Sequence, residues 1–182
     1  QDANRIFADV DPDLVFISPG PGTPEEFGMP ELVKECVRRE LPVFGVCLGL
    51  QGIVQAFGGE LGILSYPMHG KSSTVQCTPE GILDGFPAEF IAGRYHSLYA
   101  VPEQLPECFR VMARTADGVI MALEHRELPL AAILDRVGHV VRGGVLIVAQ
   151  LRHRAVELQD HRADHQVPVT HRSRGRAQRA DK

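Results

Sequence analysis

The sequence contains no tryptophan, and only 6% of its residues are aromatic. No apolar run approaches the roughly 20 residues of a membrane helix, and no basic stretch followed by an apolar one marks a signal peptide. The four cysteines form no CxxC pair, and nothing in the sequence is typical of a disulfide-stapled secreted domain. We therefore expect a cytoplasmic protein that does not contact a membrane.

The last 50 residues lack most of the side chains that build a core. Residues 133–182 contain no aromatic residue, methionine or cysteine, but they hold five of the eight histidines. The charge changes at the same point, because residues 1–132 have nine Lys/Arg and 18 Asp/Glu, whereas residues 133–182 have ten and five. We predict one globular domain over residues 1–132 and a basic, poorly ordered tail over residues 133–182.

Hydrophobic periodicity predicts an α/β fold for the first part of the chain. Two strand and helix pairs are expected, with strands at 14–17 and 41–46, each followed by an amphipathic or apolar helix. The helices cover 29–39 and the segment from Cys47 to the Gly58-Gly59 stop. Further strands are predicted at 4–10, 60–64, 73–77, 89–93, 110–114 and 119–124.

The segment Gly45-Val46-Cys47-Leu48-Gly49 has the spacing of a nucleophile elbow, a sharp turn between a strand and a helix. Side chains at the flanking glycine positions would collide with neighbouring backbone. At such a turn the helix N-terminus favours the thiolate of Cys47, and the amide of Leu48 can serve as an oxyanion donor. The alternative is that Cys47 is an inert core residue.

A second candidate element is the loop Ser18-Pro19-Gly20-Pro21-Gly22-Thr23-Pro24, which follows the first buried strand. Its prolines and glycines rule out a continued strand. Ligands collect at the ends of strands in open α/β sheets, so Gly20, Pro21 and Gly22 are predicted to form a second wall of the site. An ordinary surface turn is the alternative.

These motifs resemble those of class I, triad-type glutamine amidotransferases over about residues 5–132. The resemblance rests on ISPGPGTP from Ile17, PVFGVCLGLQ from Pro42, HGKSS from His69 and GRYHSL from Gly93. The last two segments are similar to the glutaminase part of anthranilate synthase, with the aminodeoxychorismate synthase glutaminase close behind. The resemblance implies an open, mostly parallel sheet flanked by helices.

The resemblance also implies a reaction and assigns residues to it. Cys47 would attack the carboxamide of glutamine and release ammonia to a chorismate-using synthase, as a separate subunit or a fused domain, without a cofactor. Gly20, Pro21 and Gly22 would line the glutamine site, and a loop amide would join that of Leu48 in the oxyanion hole. Substrate-binding roles at the amino-acid end fall to the Gln51 side chain and the backbone of Ser97 and Leu98.

Three further residues of the matching segments are not assigned to catalysis. The family's catalytic histidine comes later in the chain, so His96 is expected to be a structural hydrogen-bonding residue. His69 is expected in a loop on the partner-facing side. Lys71 is either a partner contact or a solvated surface charge.

The chain departs from the family pattern after Ala132. Members continue L-P-x-A-A-V-Q-F-H-P-E, with the histidine as base and the glutamate orienting it, whereas ungapped register places Arg136 and Gly138 there. His139 comes three positions late and would face the other side of a strand. We therefore expect impaired turnover, with a non-catalytic docking module or a remnant as alternatives.

The tail and the start of the chain bear on this departure. A frame change or chimeric join near residue 133 explains both the lost motif and the new composition, and a diverged extension is the rival. The Arg/His clusters lack aromatic residues for stacking, so nucleic-acid binding is disfavoured, and the tail histidines have no metal-ligand spacing. Members of the family normally begin with a strand and helix before the equivalent of Asn4, so an incomplete N-terminus is also expected.

Overall fold

A computed structural model describes Phe7, Val10 and residues 12–135 of the chain. Within these residues, seven strands and two complete α-helices alternate at first and give way to consecutive strands later. In chain order the elements are β1 (Val15–Ile17), α1 (Met29–Arg38), β2 (Val43–Val46), α2 (Leu48–Ala56), β3 (Leu61–Cys77), β4 (Glu89–Ala100), β5 (Phe109–Thr115), β6 (Ile120–His125) and β7 (Leu130–Ile133). The α/β class predicted from the sequence is confirmed.

The seven strands form one mixed sheet in the order β1-β2-β7-β6-β5-β3-β4. The pairs β1–β2 and β2–β7 are parallel, and the other pairs along the described sheet are antiparallel. The parallel part is therefore smaller than the mostly parallel sheet that the resemblance implied. The reason is that β3 to β7 follow each other without a helix, and parallel pairing needs a long crossover connection.

The two helices differ in how much of their surface is apolar. Helix α1 has Pro30 in its first turn and buries Val33 and Cys36 on one side. Helix α2 is apolar on nearly all sides, because it contacts the sheet strands as well as α1. A Cβ atom at Gly52 would lie 2.9 Å from Cβ of Met29, so this glycine permits the close approach of the two helices.

Strand β3 is longer than predicted. It joins the predicted strands 60–64 and 73–77 into Leu61–Cys77, and it includes His69 and Lys71, which the sequence placed in a loop or left unassigned. Two register irregularities against β4 take up the extra residues around Pro67 and Gly70. In the predicted strand 4–10, Phe7 and Val10 are described, and Phe7 has helical conformation.

The last described strand lies in the middle of the sheet. Strand β7 pairs with both β2 and β6, and each of its four residues is buried. Leu134 and Asp135 beyond it are also buried. The folded body therefore continues to Asp135, three residues past the predicted boundary at 132. Residues 136–182, with the predictions made for the tail, lie outside the described residues.

One further property of the described residues concerns membranes. No helix among residues 12–135 combines the length and the apolar character needed to cross a bilayer.

Candidate active site

Cys47 occupies the turn between β2 and α2 in a strained backbone conformation. Its φ of 54° and ψ of −102° lie in a region that side-chain-bearing residues rarely adopt. The surrounding structure enforces this geometry, because the Cys47 N–H donates to the carbonyl oxygen of Ile133 over 2.9 Å. The Cys47 carbonyl oxygen accepts from Gln51 N–H at 3.2 Å in the first turn of α2. The predicted strand, turn and helix are therefore present.

The glycines on either side of the turn are required by close backbone approach. A Cβ atom at Gly45 would lie 2.6 Å from the carbonyl carbon of Gly49. A Cβ atom at Gly49 would lie 2.6 Å from the carbonyl oxygen of Ile17 in β1. Both distances are shorter than any real contact of a Cβ atom. The glycine spacing of the motif thus has the steric origin that the sequence indicated, although Gly49 is limited by β1 rather than by the turn itself.

A cavity of about 520 Å³ opens beside Cys47, within the size range of small-molecule sites. It is lined by residues from the proline-rich loop, the elbow, β4 and the end of β7, namely Pro19, Val46, Cys47, Tyr95, Leu134 and Asp135. Cys47 is half-buried and reaches this cavity. Its position excludes the alternative of a cysteine enclosed in the core.

The proline-rich loop lies against the elbow, but its predicted residues differ in position. A Cβ atom at Gly20 would lie 3.1 Å from Cδ2 of Leu48, so this glycine contacts the start of α2. Pro21 and Gly22 are exposed, and the cavity wall is contributed by Pro19. Gly22 has a φ of 81°, and it lies against Glu26 and Phe27 in the segment before α1.

The electrostatics of Cys47 differ from the prediction. Burial raises the pKa of the Cys47 thiol, the charge of Asp135 raises it further, and a hydrogen bond from the Leu48 amide lowers it. The amide of Leu48 thus acts on the sulfur itself in the ligand-free site, and its oxyanion role stays a prediction. The sequence argument considered the helix N-terminus alone and predicted a stabilised thiolate, whereas desolvation and a neighbouring carboxyl group favour the thiol.

The structure brings together Gln51 and Leu98, two of the predicted substrate-binding residues. Gln51 is buried, and its Nε2 donates to the carbonyl oxygen of Leu98 over 3.4 Å. The same carbonyl oxygen accepts from Nδ1 of His96 at 2.9 Å. Ser97, which lies between His96 and Leu98 in β4, is half-buried. The contact ties α2 to β4, and it shows His96 in the hydrogen-bonding role that was predicted.

Two side chains in the cavity wall were missed by the sequence analysis. Asp135 stands where the family pattern has phenylalanine, so the motif gave no reason to examine it. Tyr95 belongs to a matching segment but was assigned no role. Only the pairing of β7 beside β2, and the position of β4, bring these residues next to Cys47. Long-range sheet order carries no local sequence signal.

His69 and Lys71 lie away from the cavity lining, on the exposed surface of β3. His69 is paired with Tyr95 across the β3–β4 ladder. The Lys71 ammonium lies 5.9 Å from the centre of the Tyr66 ring, within cation–π distance. His69 thus lies in a strand, where the sequence predicted a loop.

The chain is similar to a known family and to known proteins over the segments that contain these motifs. Residues 1–133 match the family described as Glutamine amidotransferase class-I. The chain is 48% identical over 131 residues to an anthranilate synthase of Azospirillum brasilense, covering 72% of this chain and 18% of that protein. It is 43% identical over 126 residues to an aminodeoxychorismate/anthranilate synthase component 2 of Bacillus subtilis, covering 69% of this chain and 64% of that protein.

Solved structures support the fold at lower sequence identity. A Thermoplasma acidophilum protein described as a component of GMP synthase superposes with a TM-score of 0.70 at 21% identity, covering 89% of this chain and 80% of that one. A glutamine amidotransferase of Thermotoga maritima superposes with a TM-score of 0.57 at 12% identity, covering 81% and 73%. At these identities the likeness concerns the fold alone.

The extent of the match limits what it conveys. The chain spans between 18% and 64% of the length of the two curated relatives described above. The family match nevertheless covers residues 1–133, which is well over half of the 182 residues. It includes the elbow, the proline-rich loop and the central strand β7. On this evidence the chain belongs to the class I glutamine amidotransferase family.

Proposed function

We propose that this chain is the glutamine-hydrolysing part of an anthranilate synthase, and that Cys47 is its nucleophile. The observation that carries the proposal is the strained turn that holds Cys47 at a cavity beside the proline-rich loop. Relatives with 43% and 48% identity are named for anthranilate synthase, which supports the choice of reaction. The cavity volume of about 520 Å³ is ample for one amino acid.

The chemistry follows from the groups around Cys47. The sulfur, once deprotonated, attacks the side-chain carbonyl carbon of glutamine, and the amide of Leu48 stabilises the oxyanion that forms. The carbon–nitrogen bond then breaks, the leaving nitrogen takes up the proton that the Cys47 thiol released and departs as ammonia, and a glutamyl thioester remains on Cys47. Water hydrolyses the thioester to glutamate. We assign the amino-acid end of glutamine to Gln51 and the backbone of Leu98, which a hydrogen bond joins to each other.

Turnover in this chain should be slow. In ungapped register, Arg136 and Gly138 occupy the positions of the family's base and orienting acid, and neither residue can perform that task. The high pKa of the Cys47 thiol leaves little thiolate at neutral pH. Loss of a general acid–base group lowers rates by roughly 10²–10⁴-fold. We therefore expect slow covalent labelling of Cys47 and very low glutaminase activity.

The experiment is to incubate the full chain with a chloroketone analogue of glutamine and to map the adduct by mass spectrometry. We expect labelling at Cys47, protection by glutamine, and no adduct at this position in Cys47→Ala. A chloroketone without the amino-acid end is the matched control and should label Cys47 much more slowly at the same concentration, because it lacks the groups that position it in the site. Labelling that ignores glutamine, or that prefers Cys77 or Cys108, would refute the assignment.

We further propose that the ammonia passes to a chorismate-using synthase and that the reaction is cytoplasmic. The four cysteines are all free in the structure, as expected in a reducing compartment. The Bacillus subtilis relative is named for both aminodeoxychorismate and anthranilate synthase, so the folate-pathway product is the second candidate. Supplying ammonia and chorismate to a complex of the chain with its synthase, and identifying the product by mass spectrometry, separates the two.

A non-catalytic docking module is distinguished by a different pair of results. Such a module would bind a synthase subunit in a pull-down while failing to label with the glutamine analogue. A remnant without function would do neither. Labelling of Cys47 together with synthase binding supports the proposed function.

A further inference from the structure

A buried chain of polar side chains runs from the protein surface to the Cys47 cavity. Asp117 lies at the outer end, and its carboxylate accepts from Nη1 of Arg94 at 2.9 Å. Arg94 is only 1% exposed and donates from Nε to Nε2 of His96 over 3.1 Å. Asp135 forms the inner end, with Oδ2 lying 3.3 Å from the same Nε2. None of these four side chains is assigned a step in the proposed hydrolysis.

The hydrogen bonds of His96 determine where its proton lies. A carbonyl oxygen can only accept, so the contact of Nδ1 with the Leu98 carbonyl oxygen places the proton on Nδ1. The lone pair of Nε2 accepts the N–H of Arg94. His96 is therefore a neutral imidazole with no proton on Nε2, and it offers no hydrogen bond to Asp135.

Asp135 is left with a partly unsatisfied carboxyl group beside the thiol. Its Oδ1 accepts from the Tyr95 backbone N–H at 2.7 Å. Its side chain is only 2% exposed, and Oδ2 meets no donor among the described residues although Nε2 of His96 is near. The same carboxyl group lines the cavity together with Cys47. An anion there is poorly compensated and lies in the wall of the cavity that the sulfur also lines.

We propose that Asp135 sets the reactivity of Cys47: its carboxyl group, fixed by Tyr95 and backed by a neutral His96, keeps the sulfur as a thiol at neutral pH. Two negative charges cannot both be accommodated in one poorly solvated cavity, so ionisation of Asp135 opposes ionisation of Cys47. The other charged groups in line with Asp135 are Arg94 and, beyond it, Asp117, which balance each other at 2.9 Å. The charge of Asp135 therefore opposes formation of the Cys47 thiolate.

The direction of the pKa shifts agrees with this geometry. Burial raises the pKa of the Asp135 carboxyl, and the Tyr95 amide and His96 only partly oppose that effect. Burial lowers the pKa of His96, which keeps the imidazole neutral. Cys47 has a raised pKa for which Asp135 is the second cause after burial. All three shifts favour the neutral forms of Asp135, His96 and Cys47.

The test measures the pH dependence of Cys47 alkylation by iodoacetamide in the full chain and in Asp135→Asn. Alkylation joins the sulfur to carbon and releases iodide, and below the thiol pKa its rate follows the thiolate fraction. Peptide mass spectrometry resolves Cys47 from the other three cysteines. We expect Asp135→Asn to lower the apparent pKa of Cys47 and to raise its rate at pH 7 about three- to tenfold.

The asparagine variant is suited to the site. Its amide oxygen still accepts from the Tyr95 N–H, and the substitution removes the negative charge with little change in the shape of the side chain. A thermal melt confirms that the variant is folded. Asp135→Glu retains the charge and should keep alkylation slow, whereas Asp117→Asn, at the far end of the chain, should leave the Cys47 profile unchanged.

An unchanged or higher apparent pKa of Cys47 in Asp135→Asn would overturn the proposal. Equal acceleration in Asp117→Asn would do the same, because it would indicate a general loosening of the buried network of polar side chains. Neither result depends on glutamine hydrolysis. A chain whose Cys47 labelling by the chloroketone ignores glutamine, but which shows the shifted profile, would refute the proposed function and leave this inference standing.

Discussion

A Cβ atom on Gly45 would lie 2.6 Å from the carbonyl carbon of Gly49, which is closer than any side chain permits. The end of β2 and the first turn of α2 therefore approach each other through bare backbone. Cys47 lies between the two glycines, and its positive φ of 54° is maintained by this approach. The reactivity of Cys47 and the packing of the turn therefore both depend on Gly45 and Gly49.

The first prediction concerns the stability of this turn. Gly45→Ala should lower the free energy of unfolding by about 1–3 kcal/mol, because the added methyl group must displace backbone rather than a flexible side chain. Urea denaturation measures the change. Gly93→Ala is the matched control, since its Cβ atom would lie 3.7 Å from Cε2 of Tyr95 in ordinary contact. An equal loss in both variants would contradict the steric account.

The elbow was predictable from the sequence because it is local. The residues that identify it lie within five positions, and a buried strand before them and an apolar helix after them are visible in the adjoining sequence. Strand β3 was not predictable to the same extent. Pro67 and Gly70 are turn signals in isolation, but pairing with β4 carries the strand through both positions with local irregularities.

Asp135 shows a different limit of sequence reasoning. Its importance comes from tertiary structure, because the sheet order places the end of β7 beside β2 and a hydrogen bond from Tyr95 joins Asp135 to β4. In sequence it is 88 residues from Cys47 and has no pattern of its own. The raised pKa of Cys47 was missed for the same reason, because desolvation by burial and a distant carboxyl group both arise from tertiary structure.

The second prediction concerns Gln51, which donates to the Leu98 carbonyl oxygen. Gln51→Ala should raise the concentration of the chloroketone glutamine analogue at half-maximal labelling by about tenfold, corresponding to one lost hydrogen bond of roughly 1–1.5 kcal/mol. The maximal labelling rate should change less, because Cys47 is untouched. Labelling rates at several analogue concentrations separate the two quantities.

Gln55→Ala is the control for Gln51, because it removes a glutamine one turn later on the same helix. Gln55 donates to Glu25 rather than to a residue of β4. Its removal should leave the half-maximal concentration unchanged. If both variants weaken labelling equally, the effect belongs to the stability of α2 and not to substrate binding.

The third prediction concerns the surface beside the cavity. Ile91 and Tyr95 are 70% and 62% exposed and lie on the same side of β4, and Tyr95 also lines the cavity. A synthase that receives ammonia must cover the cavity mouth, so we expect this face to contact it. Ile91→Asp should weaken binding to the synthase at least tenfold in surface plasmon resonance without altering iodoacetamide alkylation of Cys47.

Lys34→Asp introduces the same side chain on the exposed side of α1 and serves as the control. It should bind the synthase as the unchanged chain does. Weakened binding in Lys34→Asp alone would place the synthase on the helical side of the molecule and contradict the prediction for β4.

The fourth prediction concerns Asp117, at the outer end of the buried polar chain. Burial tends to raise the pKa of this carboxyl, but hydrogen bonds from Thr115 and Arg94 and the charge of Arg94 together lower it. A lowered pKa in the folded state stabilises the protein above the unfolded value of about 3.9, and this stability is lost as the pH falls through the folded pKa. Asp117→Asn should remove that loss in urea titrations between about pH 5 and pH 2, and an unchanged acid slope would refute it.

The fifth prediction has the opposite sign because Asp135 has a raised pKa, caused first by burial. A group of this kind contributes stability that is present below the unfolded value of about 3.9 and is lost as the pH rises through the folded pKa. Asp135→Asn stays neutral at every pH. The difference in urea midpoint between Asp135→Asn and the unchanged chain should therefore grow with pH, in favour of the variant, and then level off. A difference that shrinks with rising pH would mean that the carboxylate is stabilised in its cavity and would contradict a raised pKa for Asp135.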